Sequence, residues 1–148
     1  VESHYVPHAV NTDIFTPLTS NQTTSLRKQN NLDDKFVFFW NNRNARRKMS
    51  GSLIYWFNEF AEEVGPENVC LIMHTDPKDP NGQDLAAIIA NLGMTDGRIL
   101  LSTAKIQPQD LAAYYNMADC TLNVSEKHVP QDTRRTQASR VKGSKSHC

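Results

Sequence analysis

An α/β fold built on a partial doubly wound parallel sheet is predicted for this chain, on three observations. Four short segments read as strands, at residues 36–40, 69–74, 98–103 and 120–125, and the first is apolar throughout. Short continuous apolar runs bounded by polar clusters are the mark of strands buried on both faces, as in parallel sheets. Between the runs lie segments with apolar residues at helical spacing, and crossovers of that length join parallel strands by right-handed connections. Arg43, Arg46, Arg47 and Lys48 then follow the first run, at the carboxyl end of a strand, where open α/β sheets bind ligands. The count is about four strands with three helices in a Rossmann-like arrangement, followed by a disordered tail.

Residues 1–35 open with an extended, Pro-bearing segment and read as an interdomain-type linker leading into the domain. The domain proper is assigned to residues 36–125. Its first strand, Phe36-Val37-Phe38-Phe39-Trp40, is uninterrupted by polar residues. A helix follows over residues 50–64, with Leu53, Trp56, Phe57, Phe60 and Val64 as its buried stripe. Ser50 is placed to cap it and Gly65-Pro66 to stop it. The second strand, residues 69–74, leads into a loop over residues 75–82, where Pro77, Pro80 and Gly82 forbid regular structure. The next helix, residues 83–92, carries Leu85, Ile88, Ile89 and Leu92, and Gly93 ends it. After the third strand, residues 98–103, a helix over residues 108–119 presents Leu111, Tyr114, Tyr115 and Ala118. Pro108 suits its first turn, where a missing N–H costs nothing. Residues 120–125 are the fourth strand. In residues 126–148 only Val129, Ala138, Val141 and Cys148 are apolar, without periodicity, and this basic tail reads as disordered.

Composition narrows the function classes. The 148 residues suffice for one domain with a core. Formal net charge is zero, but residues 127–148 hold six Lys or Arg against one Asp, leaving ten cations and fifteen anions in the remainder. No stretch approaches the ~20 apolar residues of a membrane span, and the N-terminus lacks signal-peptide character. Cys70, Cys120 and Cys148 form no CxxC pair, so neither a zinc site nor a disulfide framework is expected. A reduced, cytoplasmic protein is the expectation. His4 and His8 are separated by Pro7, which breaks the helix that would align them as metal ligands. Asp76, Asp79 and Asp84 miss the calcium-loop spacing and read as a solvated turn. No P-loop, GxGxxG or nucleophile elbow occurs. The tail has no aromatic residue to stack on bases, so nucleic acid is not the expected partner.

The cation cluster therefore points to an anionic ligand, most simply a phosphate. Three further segments bear on its identity. Tyr5-Val6-Pro7-His8-Ala9-Val10-Asn11-Thr12-Asp13-Ile14-Phe15-Thr16-Pro17 resembles the pattern I-P-N-G-V-D-x-x-x-F-x-P, departing from it at His8-Ala9 and Asn11. Arg43 and Lys48 stand five apart after a strand, and Leu111 to Asp119 matches L-x-x-x-Y-x-x-A-D. The strand after it ends at Ser125. In this order and spacing, residues 5–125 resemble the C-terminal, donor-binding half of a GT-B glycosyltransferase of the glycosyl transferases group 1 family.

That resemblance implies transfer of a sugar from a nucleotide-sugar donor to a hydroxyl acceptor by a retaining, metal-independent route. The donor is substrate, and no cofactor is expected. By resemblance Arg43 and Lys48 contact the donor diphosphate. His74, Lys105, Ile106 and Ser125 become candidate base or cleft contacts. An N-terminal acceptor-binding domain would precede Val1, and the parent protein would have scope for peripheral membrane association. The chain departs from the family after Ser125. Glu126-Lys127-His128-Val129-Pro130 stands where the family has a Gly-rich, glutamate-bearing motif (E-G-F-G), and no second glutamate follows. No complete catalytic set is present, so a fragment inactive on its own is expected. The alternative is a non-enzymatic nucleotide- or anion-binding module whose basic tail binds nucleic acid or anionic lipid.

Overall fold

In the computed structural model, which describes His4 and residues 9–126, the four expected strands form one parallel sheet. Its strands are β1 (Phe36–Asn41), β2 (Val69–His74), β3 (Ile99–Ser102) and β4 (Cys120–Thr121), in the order β3-β2-β1-β4. β1 pairs with β2 over its whole length, Phe36 opposite Val69 and Asn41 opposite His74, and with β4 through Phe38 and Phe39. The chain therefore builds outward from β1 to β2 and β3, then returns to β1's other side with β4. That reversal puts a topological switch point between β1 and β4. The tail, residues 127–148, and the motif residues Tyr5, Val6, Pro7 and His8 lie outside the described residues.

Side-chain alternation divides the core in two. Trp40, Leu71 and Met73 point to one face, where α2 (Ser50–Val64) and α3 (Leu85–Asn91) pack. Val37, Phe39, Cys70 and Ile72 point to the other, with Leu32 and Met117. The second face is covered by α4 (Pro108–Met117), and α1 (Ser20–Gln29) lies against α4. Burial on both faces is what the continuous apolar runs of β1 and β2 demand. Burial also pushes the Cys70 thiol up to about 11, which keeps it protonated and inert. Among the described residues no helix is long and apolar enough to cross a membrane.

Four helices are present among the described residues, against three expected. The additional one, α1, falls inside the stretch read as linker. It buries none of its residues, so hydrophobic periodicity could not reveal it. Polar ties hold it instead. Thr19 and Gln22 form a capping box, and Arg27 reaches Asp119 at 2.9 Å and the carbonyls of Leu32 and Lys35.

Other boundaries shift for local reasons. α2 spans the expected residues, but its buried line runs through Ser50, Leu53, Ile54, Phe57 and Ala61. Trp56, Phe60 and Val64, expected in the stripe, are 46%, 40% and 41% exposed. Both lines satisfy a 3.6-residue period. The small side chains of Ser50, Gly51 and Ala61 let the helix approach the sheet along the first line. Ser50 does not cap α2 with its side chain; Met49 holds the cap position in the left-handed region (φ 50°). α3 starts two residues late, at Leu85, because Asp84 caps it by accepting from the Ala87 N–H at 3.0 Å. α4 ends at Met117. β4 is two residues long rather than six, since its pairing with β1 extends only over Phe38 and Phe39.

Candidate functional site

The carboxyl end of β1 runs directly into the basic turn. Asn44 is fully buried there, between Arg43 and a single 3₁₀ turn formed by Arg46–Lys48. Its side chain is the hub of a polar network. Oδ1 accepts from Ser50 Oγ at 2.6 Å and from the Gln83 N–H at 3.3 Å, while Nδ2 donates to the Gln83 carbonyl at 2.7 Å. The Arg46 N–H donates to the Asn81 carbonyl at 3.1 Å. These bonds weld the β1–α2 turn to the β2–α3 loop. Gly82 is obligatory at the joint, because a Cβ there would lie 2.1 Å from the Asn44 carbonyl oxygen.

Arg43 is 66% exposed and spans the mouth of this joint to Asp79, which is 9% exposed. Nε donates to Oδ2 at 2.6 Å and Nη2 to Oδ1 at 3.2 Å. The Arg43 guanidinium, with the Asn81 backbone N–H, holds the Asp79 carboxyl at about 2. The pair in turn raises the Arg43 pKa above its ordinary value. Depression of a folded-state carboxyl pKa means that the stabilisation is complete above the unfolded value near 4 and lost as pH falls toward the folded one. Acid unfolding of Asp79→Asn is therefore expected to lie closer to its neutral-pH stability than that of the wild type. Equal losses in both proteins between pH 5 and about 2.5, followed by circular dichroism in urea, would contradict this.

Lys48 is half-buried, and Arg46 and Arg47 are exposed; none forms an ion pair among the described residues. At the N-terminus of α2 the Gly51 N–H is taken by Gln83 Oε1 at 3.1 Å. After β4 the chain passes the same turn: the Glu126 N–H donates to the Arg47 carbonyl at 2.7 Å. Ser125 and the basic turn accordingly flank the switch point, where ligands of open α/β sheets bind.

The other expected contacts lie along the same edge of the sheet. His74 ends β2, with Nδ1 2.9 Å from Ser102 Oγ and its ring stacked at 6.3 Å on Tyr114. Lys105 is exposed and Ile106 half-buried in the segment after β3, at the far edge. The Arg46–Lys48 turn and Ser125 meet at β1 and β4, whereas the Arg43 side chain crosses to the β2–α3 loop at Asp79, on the β2–β3 side with His74, Lys105 and Ile106. Two residues of the site escaped the sequence reading. Asp79, expected in a solvated turn, does lie in a turn, but its side chain is covered by Arg43. Its place ahead of Pro80-Asn81-Gly82 was the available signal, since Asp in such turns bonds the backbone two residues on, as it does to Asn81 at 2.9 Å. Asn44 carried no signal beyond its neighbours. Among the described residues no group of three His, Cys, Asp or Glu side chains could hold a metal ion.

No protein-family model matches the chain, and no curated protein matches it. Solved structures do. The C-terminal domain of the glycosyl transferase group 1 family protein LpcC from Francisella tularensis superposes with a TM-score of 0.64 at 15% identity, over 81% of this chain and 60% of that one. Anabaena HepE, in complex with UDP and glucose, gives a TM-score of 0.61 at 17% identity, over 78% of this chain and 30% of that one. The same protein in complex with UDP-glucose matches equally. This chain therefore spans less than two thirds of the length of either relative. At these identities the likeness is one of architecture: the chain has the Rossmann-like α/β fold of the C-terminal domains of GT-B glycosyltransferases.

Proposed function

We propose that this chain binds the diphosphate of a nucleotide-sugar donor in the crevice between the carboxyl ends of β1 and β4. It would be the donor-side part of a glycosyltransferase that moves the sugar to a hydroxyl acceptor. The observation that carries this reading is the position of the turn bearing Arg43 and Lys48, at the carboxyl end of β1 and tied at Arg47 to the segment after β4. As the sugar–phosphate bond breaks, the leaving diphosphate gains negative charge, and fixed cations lower the barrier most where that charge develops. Arg43 can grip two phosphate oxygens through its planar fork, and Lys48 supplies a compact charge. The UDP and UDP-glucose held by HepE, a protein of the same fold, favour a uridine nucleotide as the first ligand to try.

His74 and Ser125 are proposed as cleft contacts, and Lys105 and Ile106 as neighbours of the nucleotide base. The acceptor would be bound by a second domain, so binding rather than turnover is the proper readout for this chain. Hydrogen bonds to charged groups contribute about 1.5–3 kcal/mol each. Arg43→Ala and Lys48→Ala are each expected to weaken UDP binding by about 10–100-fold, and the double variant to abolish it. Titration calorimetry at fixed ionic strength checks this, and unchanged affinity in the double variant refutes the assignment.

A further inference from the structure

We propose that Asp79 is a positioning residue for the donor diphosphate: it holds one edge of the Arg43 guanidinium so that the other edge is presented to phosphate. This rests on the donor-site reading above and adds a residue that the reading does not contain. Arg43 has five N–H donors. Asp79 occupies two of them, one on Nε and one on Nη2. The two donors on Nη1 and the second on Nη2 have no partner among the described residues. They form the end-on edge of the fork, which matches two oxygens of a phosphate.

Asp79 is itself immobilised. Its Oδ1 accepts from the Asn81 N–H at 2.9 Å and from Asn81 Nδ2 at 3.2 Å, and its carbonyl accepts from the Gly82 N–H at 2.9 Å. The loop carrying it is joined to the basic turn through Asn81, Gln83 and buried Asn44. Arg43, by contrast, is 66% exposed. A free arginine side chain would lose its rotamer freedom on gripping a ligand; one already oriented by Asp79 loses little. The carboxylate also repels the incoming anion, so the two effects oppose each other. The two charges compensate each other at contact distance, so what favours binding is the free edge of the fork, held oriented before the ligand arrives, and the sign of the net effect is what the Asp79→Asn comparison reads.

A double-mutant cycle on UDP binding tests this, with Asp79→Asn as the main variant. The asparagine Oδ1 keeps the bond from the Asn81 N–H, so the turn survives while the bidentate pair is lost. Affinities are read for the wild type, Asp79→Asn, Arg43→Ala and the double variant, by NMR titration so that weak binding remains measurable. The expected result is a loss of about 5–10-fold for Asp79→Asn in the wild-type background and less than about 2-fold in the Arg43→Ala background. A residue that merely braced the loop would show the same loss in both backgrounds, which overturns the proposal. Equal or tighter UDP binding by Asp79→Asn also overturns it, making Asp79 a competitor of the ligand. If the wild type binds no UDP, the donor-site reading fails and the proposal fails with it. If the wild type binds but the cycle shows no coupling, only the role of Asp79 is lost.

Discussion

Trp40→Ala lowers the unfolding free energy by about 3–5 kcal/mol, the cost of deleting a large, fully enclosed side chain whose surroundings cannot close the gap. Trp40 is 0% exposed, near the end of the central strand, among Leu53, Ile54, Phe57, Leu71 and Met73. β1 pairs on both sides, so the strand cannot shift to fill the void without disturbing β2 and β4. Against the 5–15 kcal/mol typical of a whole domain, this loss is severe. The indole N–H meets no acceptor among the described residues. Trp40→Phe therefore trades lost volume against removal of an unpaired buried donor, and is expected to cost less than about 1.5 kcal/mol. Urea denaturation of the three proteins checks the order. A Trp40→Ala cost below about 1 kcal/mol would mean that this face of the sheet is not the core described.

The second large effect is expected at Asn44. Truncation to Ala leaves Ser50 Oγ, the Gln83 N–H and the Gln83 carbonyl without their partner at a site where Asn44 is 0% exposed. Each unsatisfied buried polar group costs about 1–3 kcal/mol, and partial solvation through the opened joint offsets some of the sum, so a net of about 2–4 kcal/mol is expected. The functional consequence is separate. With the β2–α3 loop released, Asp79 no longer stands fixed beside Arg43, and UDP affinity falls even at temperatures where Asn44→Ala is fully folded. Calorimetric stability and UDP titration measured together distinguish the two. A destabilised variant with wild-type affinity would show that the joint serves the fold alone.

The strands were legible because a parallel strand buried on both faces must be apolar at every position, and the runs beginning at Phe36 and Val69 meet that condition without a break. The helices that cross the sheet were legible through their 3.6-residue period. α1 was not, since its stability comes from a capping box and from Arg27's ties to Asp119, Leu32 and Lys35, which periodicity does not register. The orientation of α2 was not legible either. Trp56, Phe60 and Val64 make as good a stripe as Ile54, Phe57 and Ala61, and only contact with the sheet selects between them.

At the site, the position of Arg43 and Lys48 after the first strand is a property of the sequence, because a short turn keeps residues at the end of the strand they follow. The alternation of strands with helices likewise determined the α/β class and the parallel sense of the sheet. The tertiary structure alone decided what meets across the turn. Residue 79 reaches residue 43 because β2 lies in register beside β1 and their following loops rise from the same edge. Residue 126 reaches residue 47 because β4 returns to β1's free side. Such pairings depend on strand order, and strand order is settled by how the helices cover the two faces of the sheet. Local chemistry could thus single out two cations after the first strand, while the carboxylate that pairs with one of them came from elsewhere in the fold.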